Sequence, residues 1–154
     1  MNQLMKVAIE EARRGFNHDD GGPFGAIIAK EGVLIAKGHN EVLKTNDPTA
    51  HAEILAIRKA CALLKSYDLS DCEIYSTSEP CPMCFSAIHW SRLKRLYFGT
   101  TRDDVAAIGF DDSLIYDILS GKARVVQMET KNVDRVSCLG LLEEWDAKPD
   151  KVLY

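Results

Sequence analysis

The chain has 154 residues, 46% hydrophobic and 27% charged, close to the commonest size and composition of a single globular domain. A formal net charge of −4 argues against a dedicated nucleic-acid binder, and five cysteines, an odd number, argue against a disulfide framework. No apolar run approaches the roughly 18 residues of a membrane span, and the first residues lack the apolar stretch and cleavage site of a secretory signal. A cytoplasmic protein is the expectation.

In chain order, Leu4, Val7, Ala8 and Ala12 follow helical spacing, with Gly15 read as the stop. HDDGGPFG is a turn-rich loop. GAIIAK and VLIAKG read as strands joined at Glu31-Gly32, a hairpin signal, and NEVLKTNDP as a loop. TAHAEILAIRKACALLK is a long amphipathic helix that buries Ile54, Leu55, Ile57, Cys61, Leu63 and Leu64.

CEIYST is a strand, SEPCPMC the turn into a helix reaching Trp90, and RLYFG a further strand. The basic residues around it, Arg92, Lys94, Arg95 and Arg102, read as a solvated face. Short helices follow at 103–107 and 113–120, a fifth strand at ARVVQM (123–128), and a last helix at 132–145. Strands alternating with helices predict one three-layer α/β/α domain over 1–154, with a central mixed five-stranded sheet.

The chemistry concentrates in two short motifs. Cys81-Pro-Met-Cys84 places two thiols three residues apart, which returns both to nearly one helix face. A helix N-terminus also favours the thiolate that a metal needs. By itself the pair is equally readable as a redox dithiol. In DPTAHAEI, His51 and Glu53 stand at the start of the long helix. Two positions apart in mid-helix they would face away from each other, but the first turn relaxes that constraint.

His51, Cys81 and Cys84 make three ligands for one zinc, leaving the fourth tetrahedral position open. Structural zinc sites close that position with another Cys or His. Here the spare group is Glu53, a general base in place. Zinc of this kind brings the pKa of water toward about 7. The expected chemistry is hydrolytic.

H-x-E followed by P-C-x-x-C is the established signature of the zinc nucleobase deaminases. HAE at 51–53 and PCPMC at 80–84 match it without a gap, and the chain resembles the cytidine deaminase-like superfamily from its first helix through GGPFGAIIAK, NDPTAHAEI and SEPCPMC to FGTTRDD. Within that group, GFDDSLIY at 109–116, Trp90 and the terminal Tyr154 resemble the bacterial guanine deaminases.

That resemblance implies hydrolytic deamination of guanine to xanthine and ammonia, with one Zn2+ per subunit on His51, Cys81 and Cys84. It implies Glu53 as the proton carrier and Asp112 as the carboxylate facing the guanine amine, with Asp111 left as a helix cap. Asn40 would bind the purine edge, and Phe24 and Trp90 would wall the base. It also implies a homodimer that exchanges residues of about 146–154, so that Tyr154 covers a neighbouring site.

The ordinary alternatives are a loop role for Asn40 and core roles for Phe24 and Trp90. The competing functions are a tRNA adenosine deaminase, a deaminase of guanosine, another aminopurine or a pyrimidine, and a non-catalytic zinc module. The partner expected is a small-molecule purine, with no membrane and no nucleic acid.

Overall fold

The computed structural model describes residues 2–123 and 128–153. The chain divides into two compact units, Met1–Tyr116 and Asp117–Tyr154. No helix among the described residues is long and apolar enough to cross a membrane.

In the first unit, helix α1 (Gln3–Asn17) starts at Asn2, whose Oδ1 accepts the Leu4 N–H at 2.9 Å and the Met5 N–H at 3.2 Å. The helix runs past Gly15, which is not its stop. A Cβ on Gly15 would sit 2.5 Å from a ring carbon of His39, so glycine is there to let that ring against the helix.

Strands β1 (Gly25–Lys30) and β2 (Val33–His39) form the expected hairpin, turning on Glu31 and Gly32 with φ of 50° and 77°. Two successive left-handed residues make the type I′ turn whose twist matches paired strands. Helix α2 (Val42–Thr45) is a short element in a segment expected to be a loop.

Helix α3 (Ala52–Leu64), strand β3 (Cys72–Ser78), helix α4 (Pro82–Trp90) and strand β4 (Arg95–Thr100) complete the frame. The sheet has the order β2-β1-β3-β4, with β1 antiparallel to both neighbours and β3 parallel to β4. Helix α4 is the crossover that a parallel pair requires.

Alternation along β1 sends successive side chains to opposite layers. Ala26 and Ile28 pack with Ala52, Ala56 and Ile57 of α3, Ile74 of β3 and Ile88 of α4. Ile27 and Ala29 pack with Ala8 of α1 and Tyr75 of β3. Both faces of β1 are therefore covered, and its burial is continuous rather than alternating. Gly38 allows the close approach of α3 to β2, since a Cβ there would lie 2.6 Å from the Ala52 carbonyl oxygen.

Helices α5 (Arg102–Ala106) and α6 (Ser113–Leu119) follow β4, and α5 opens with a capping box between Thr101 and Asp104. In the second unit, α7 (Arg135–Asp146) carries exposed Val136, Leu141, Leu142 and Trp145. The sheet has four strands among the described residues. The fifth strand expected at 123–128 falls on 124–127, outside the described residues.

Candidate active site

Two helix N-termini build the site. His51 is the N-cap of α3, with φ −74° and ψ 153°, and Cys81 is the N-cap of α4, with Pro82 at the first helical position. Because His51 is extended rather than helical, it leans back over the helix end while Glu53 turns inward. This is why two residues apart can serve one site.

His51 Nδ1 lies 3.6 Å from Cys81 Sγ and 3.5 Å from Cys84 Sγ. Zinc bonded to nitrogen at about 2.05 Å and sulfur at about 2.3 Å, in tetrahedral geometry, would hold those atoms about 3.6 Å apart. The donor set and its spacing therefore fit zinc.

The ionisation pattern fits as well. The Cys84 thiol donating to Cys81, together with His51, brings the Cys81 pKa down to about 4 against the opposing effect of burial. Cys84 is pushed up, first by Cys81 beside it, then by burial and by Glu53. The Cys81 thiolate in turn holds the His51 pKa above its ordinary value. A divalent ion held by both sulfurs would displace the thiol proton.

Glu53 is buried at 6% exposure. Its Oε1 accepts the Ser76 hydroxyl at 3.2 Å and its Oε2 the Cys84 thiol at 3.5 Å. Burial, above all, holds its pKa above the carboxylate range. A carboxyl in this condition is suited both to take and to return a proton. Ser76 was not singled out from the sequence. Its signal is the alternation of CEIYST, which sets it on the same face as Ile74, a hydroxyl among apolar neighbours.

These groups open onto a cavity of about 470 Å³ whose lining includes Phe24, Asn40, His51, Glu53, Cys81 and Asp112. The buried Asn40 accepts N–H bonds at Oδ1 from Gly22 at 3.3 Å and Val42 at 3.1 Å. Both calls on its oxygen come from the backbone, which leaves the NH2 to the cavity. The Asn40 N–H donates to the Phe24 carbonyl at 3.0 Å, and the Phe24 ring meets Phe110 edge-on with centroids 5.1 Å apart.

The paired aspartates separate by environment. Asp111 Oδ1 accepts the Ser113 N–H at 2.9 Å, a turn at the start of α6 that holds its pKa low. Asp112 is half-buried, and its pKa is raised by burial first and then by the nearby Cys81 charge.

One expected wall residue is not in this cavity. Trp90 ends α4, about 9 Å along the axis from Cys84, is 70% exposed, and is absent from the lining. The sequence places it on the helix that carries the thiols, but the helix length takes it to the far end. Tyr154 lies outside the described residues.

One imidazole and two thiols that could hold a metal, beside a buried carboxylate, have the donor set of a hydrolytic zinc site of the deaminase type. A family model for the cytidine and deoxycytidylate deaminase zinc-binding region matches residues 1–100, and the chain belongs to this family. It is 53% identical over 151 residues to the guanine deaminase of Bacillus subtilis (strain 168), covering 98% of this chain and 97% of that protein.

An X-ray structure of guanine deaminase from Bacillus subtilis superposes with a TM-score of 0.93, at 43% sequence identity, over 99% of this chain and 97% of that one. A tRNA-specific adenosine deaminase of Aquifex aeolicus (strain VF5) is 50% identical over 95 residues, which is 62% of each chain.

Proposed function

We propose that the chain is a zinc-dependent guanine deaminase, converting guanine and water to xanthine and ammonia. The observation that carries the choice of base is the degree of likeness held over nearly the whole chain. The Bacillus subtilis guanine deaminase is 53% identical across 98% of the chain, whereas a tRNA-specific adenosine deaminase that spans 92% of it is 34% identical.

His51, Cys81 and Cys84 would hold one zinc per subunit, and zinc there supplies Lewis acidity toward water and the polarised purine. Glu53 takes a proton from the attacking water and delivers it to a ring nitrogen as the new C–O bond forms. The raised pKa of Glu53 suits both halves of that transfer. Asp112 accepts hydrogen bonds from the amine and assists transfer of the remaining water proton to it, so that the C–N bond breaks with ammonia leaving and the carbonyl of xanthine left behind. The Asn40 NH2 donates to an acceptor on the purine edge, and Phe24 lies along the base.

Further parts of the reading follow from the resemblance to guanine deaminases. They are a cytoplasmic homodimer, exchange of residues of about 146–154 with Tyr154 over a neighbouring cavity, and a fifth strand at 123–128. Trp90, exposed on α4, then serves as a base wall only through contacts made in that dimer.

The test is ammonia release from guanine, guanosine, adenine, cytosine and cytidine side by side, with a tRNA anticodon stem-loop offered separately. Release from guanine is expected. Turnover of the stem-loop alone would instead establish the RNA-editing alternative.

A further inference from the structure

GHNE at 38–41 sets His39 next to the cavity residue Asn40, and strand alternation decides where the ring goes. Gly38 faces α3, so His39 faces the other layer, where Gly15 of α1 leaves room for it. The ring is 2% exposed and meets a carboxylate at each nitrogen. Nδ1 is 2.9 Å from Glu11 Oε1 of α1, and Nε2 is 2.8 Å from Asp20 Oδ2 of the loop before β1. Glu41, just before α2, stands 3.4 Å from the same Nε2.

Cations close the outside of this cluster. Arg14 pairs with Glu11, Lys37 reaches Glu11 Oε2 at 3.0 Å, and Lys44 lies 3.3 Å from Asp20 and 3.7 Å from Glu41. With Lys44 already in place between Asp20 and Glu41, the group reads as a closed ionic lock rather than as an open metal site.

The lock bears on the cavity through the backbone. The Asp20 carbonyl accepts the N–H groups of Leu43 at 3.1 Å and Lys44 at 3.0 Å. Two residues further on, the Gly22 N–H holds the Asn40 amide oxygen, and the Asn40 N–H holds Phe24. Gly21 fits only because it lacks a Cβ, which would lie 2.1 Å from Asn40 Oδ1. None of these bonds involves His51, Glu53, Cys81 or Cys84.

We propose that His39 is a positioning residue for substrate recognition: by tying Asp20 to Glu11 it holds the 20–24 loop against Asn40, fixing the Asn40 NH2 and Phe24 in the cavity. The assignment rests on guanine binding as proposed above, and it separates recognition from the metal-centred step. The lowered pKa of Asp20, owed first to its bond from His39, agrees with the geometry.

The test uses the zinc-loaded protein with His39→Gln and, as the milder change, Asp20→Asn. Loss of a charge-assisted bond in the lock should raise KM for guanine about tenfold while kcat stays within about twofold. Zinc content should be unchanged. Without substrate, hydrogen exchange at the Gly22, Val42, Leu43 and Lys44 amides should quicken about tenfold, with β1 and β3 amides unaffected.

A loss confined to kcat, or unchanged exchange at those four amides in both variants, would overturn the assignment. Asp20→Asn decides the matter if His39→Gln does not fold. Ammonia release by the wild-type protein tests the guanine reading separately, because the exchange measurement needs no substrate.

Discussion

Ser76 and Glu53 meet at 3.2 Å, hydroxyl to carboxylate, joining the third strand of the sheet to the first turn of the helix that carries His51. The bond fixes which way a buried carboxylate points. Ser76→Ala removes one donor and leaves the Glu53 oxygen dry. Turnover should fall about tenfold through misplacement of the proton carrier, with zinc content unchanged. Steady-state kinetics with metal analysis on the same sample check it.

Removing the carboxylate itself is the sharper experiment. Glu53→Ala removes one neighbour of Cys84 but keeps His51, Cys81 and Cys84 in place, so zinc should stay bound. The rate should drop by about 10²–10⁴, the usual contribution of a positioned acid–base group. A variant retaining normal turnover would remove Glu53 from the mechanism.

The neighbouring aspartates offer an internal control. Asp112→Ala takes away a half-buried carboxylate, whereas Asp111→Ala takes away one end of a local turn to Ser113. The first should cut kcat/KM for guanine at least tenfold, the worth of a hydrogen bond to a charged group of about 1.5–3 kcal/mol. The second should cost little activity and lower stability only slightly. Parallel kinetics and denaturant melts separate the two.

Acid stability should depend on Glu11. Burial is the largest single influence on it and would raise its pKa, but bonds from Arg14, His39 and Lys37 together lower it from 4.5 to about 2. The folded value lies below the unfolded one, so the stabilisation is complete above about 4.5 and disappears as pH falls through about 2. Its size at neutral pH is about 3 kcal/mol. Glu11→Gln should be less stable than wild type at pH 7, and urea melts should show that gap closing between pH 4.5 and 2.

What could be read from the sequence was whatever local spacing dictates. The i,i+3 thiols, the Pro that opens their helix and the hairpin turn at Glu31-Gly32 depend on neighbours within a few positions. The metal constellation added one long-range inference, and a known motif supplied it. Contacts between distant segments were opaque. His39 reaches Glu11 and Asp20 across 28 and 19 positions, and nothing in GHNE announces this.

Gly15 misled for the same reason. A glycine near the end of a helical pattern reads as a stop, whereas here it makes room for a ring from the sheet. Trp90 stands 70% exposed at the opposite end of α4 from Cys81 and Cys84, a placement set by helix length that a resemblance of motifs does not carry.

The Asn40 amide, its oxygen spent on Gly22 and Val42, has a selective consequence. A side chain free to rotate by half a turn would greet donors and acceptors alike. This one is fixed: a ligand that reaches it as proposed meets the Nδ2–H group alone, and satisfies it by bringing a lone pair. An analogue with carbon at that ring position would be refused by the debt of a missing bond rather than by any clash of shape. Discrimination of this kind is set before the ligand arrives, by the backbone of the loop that faces it.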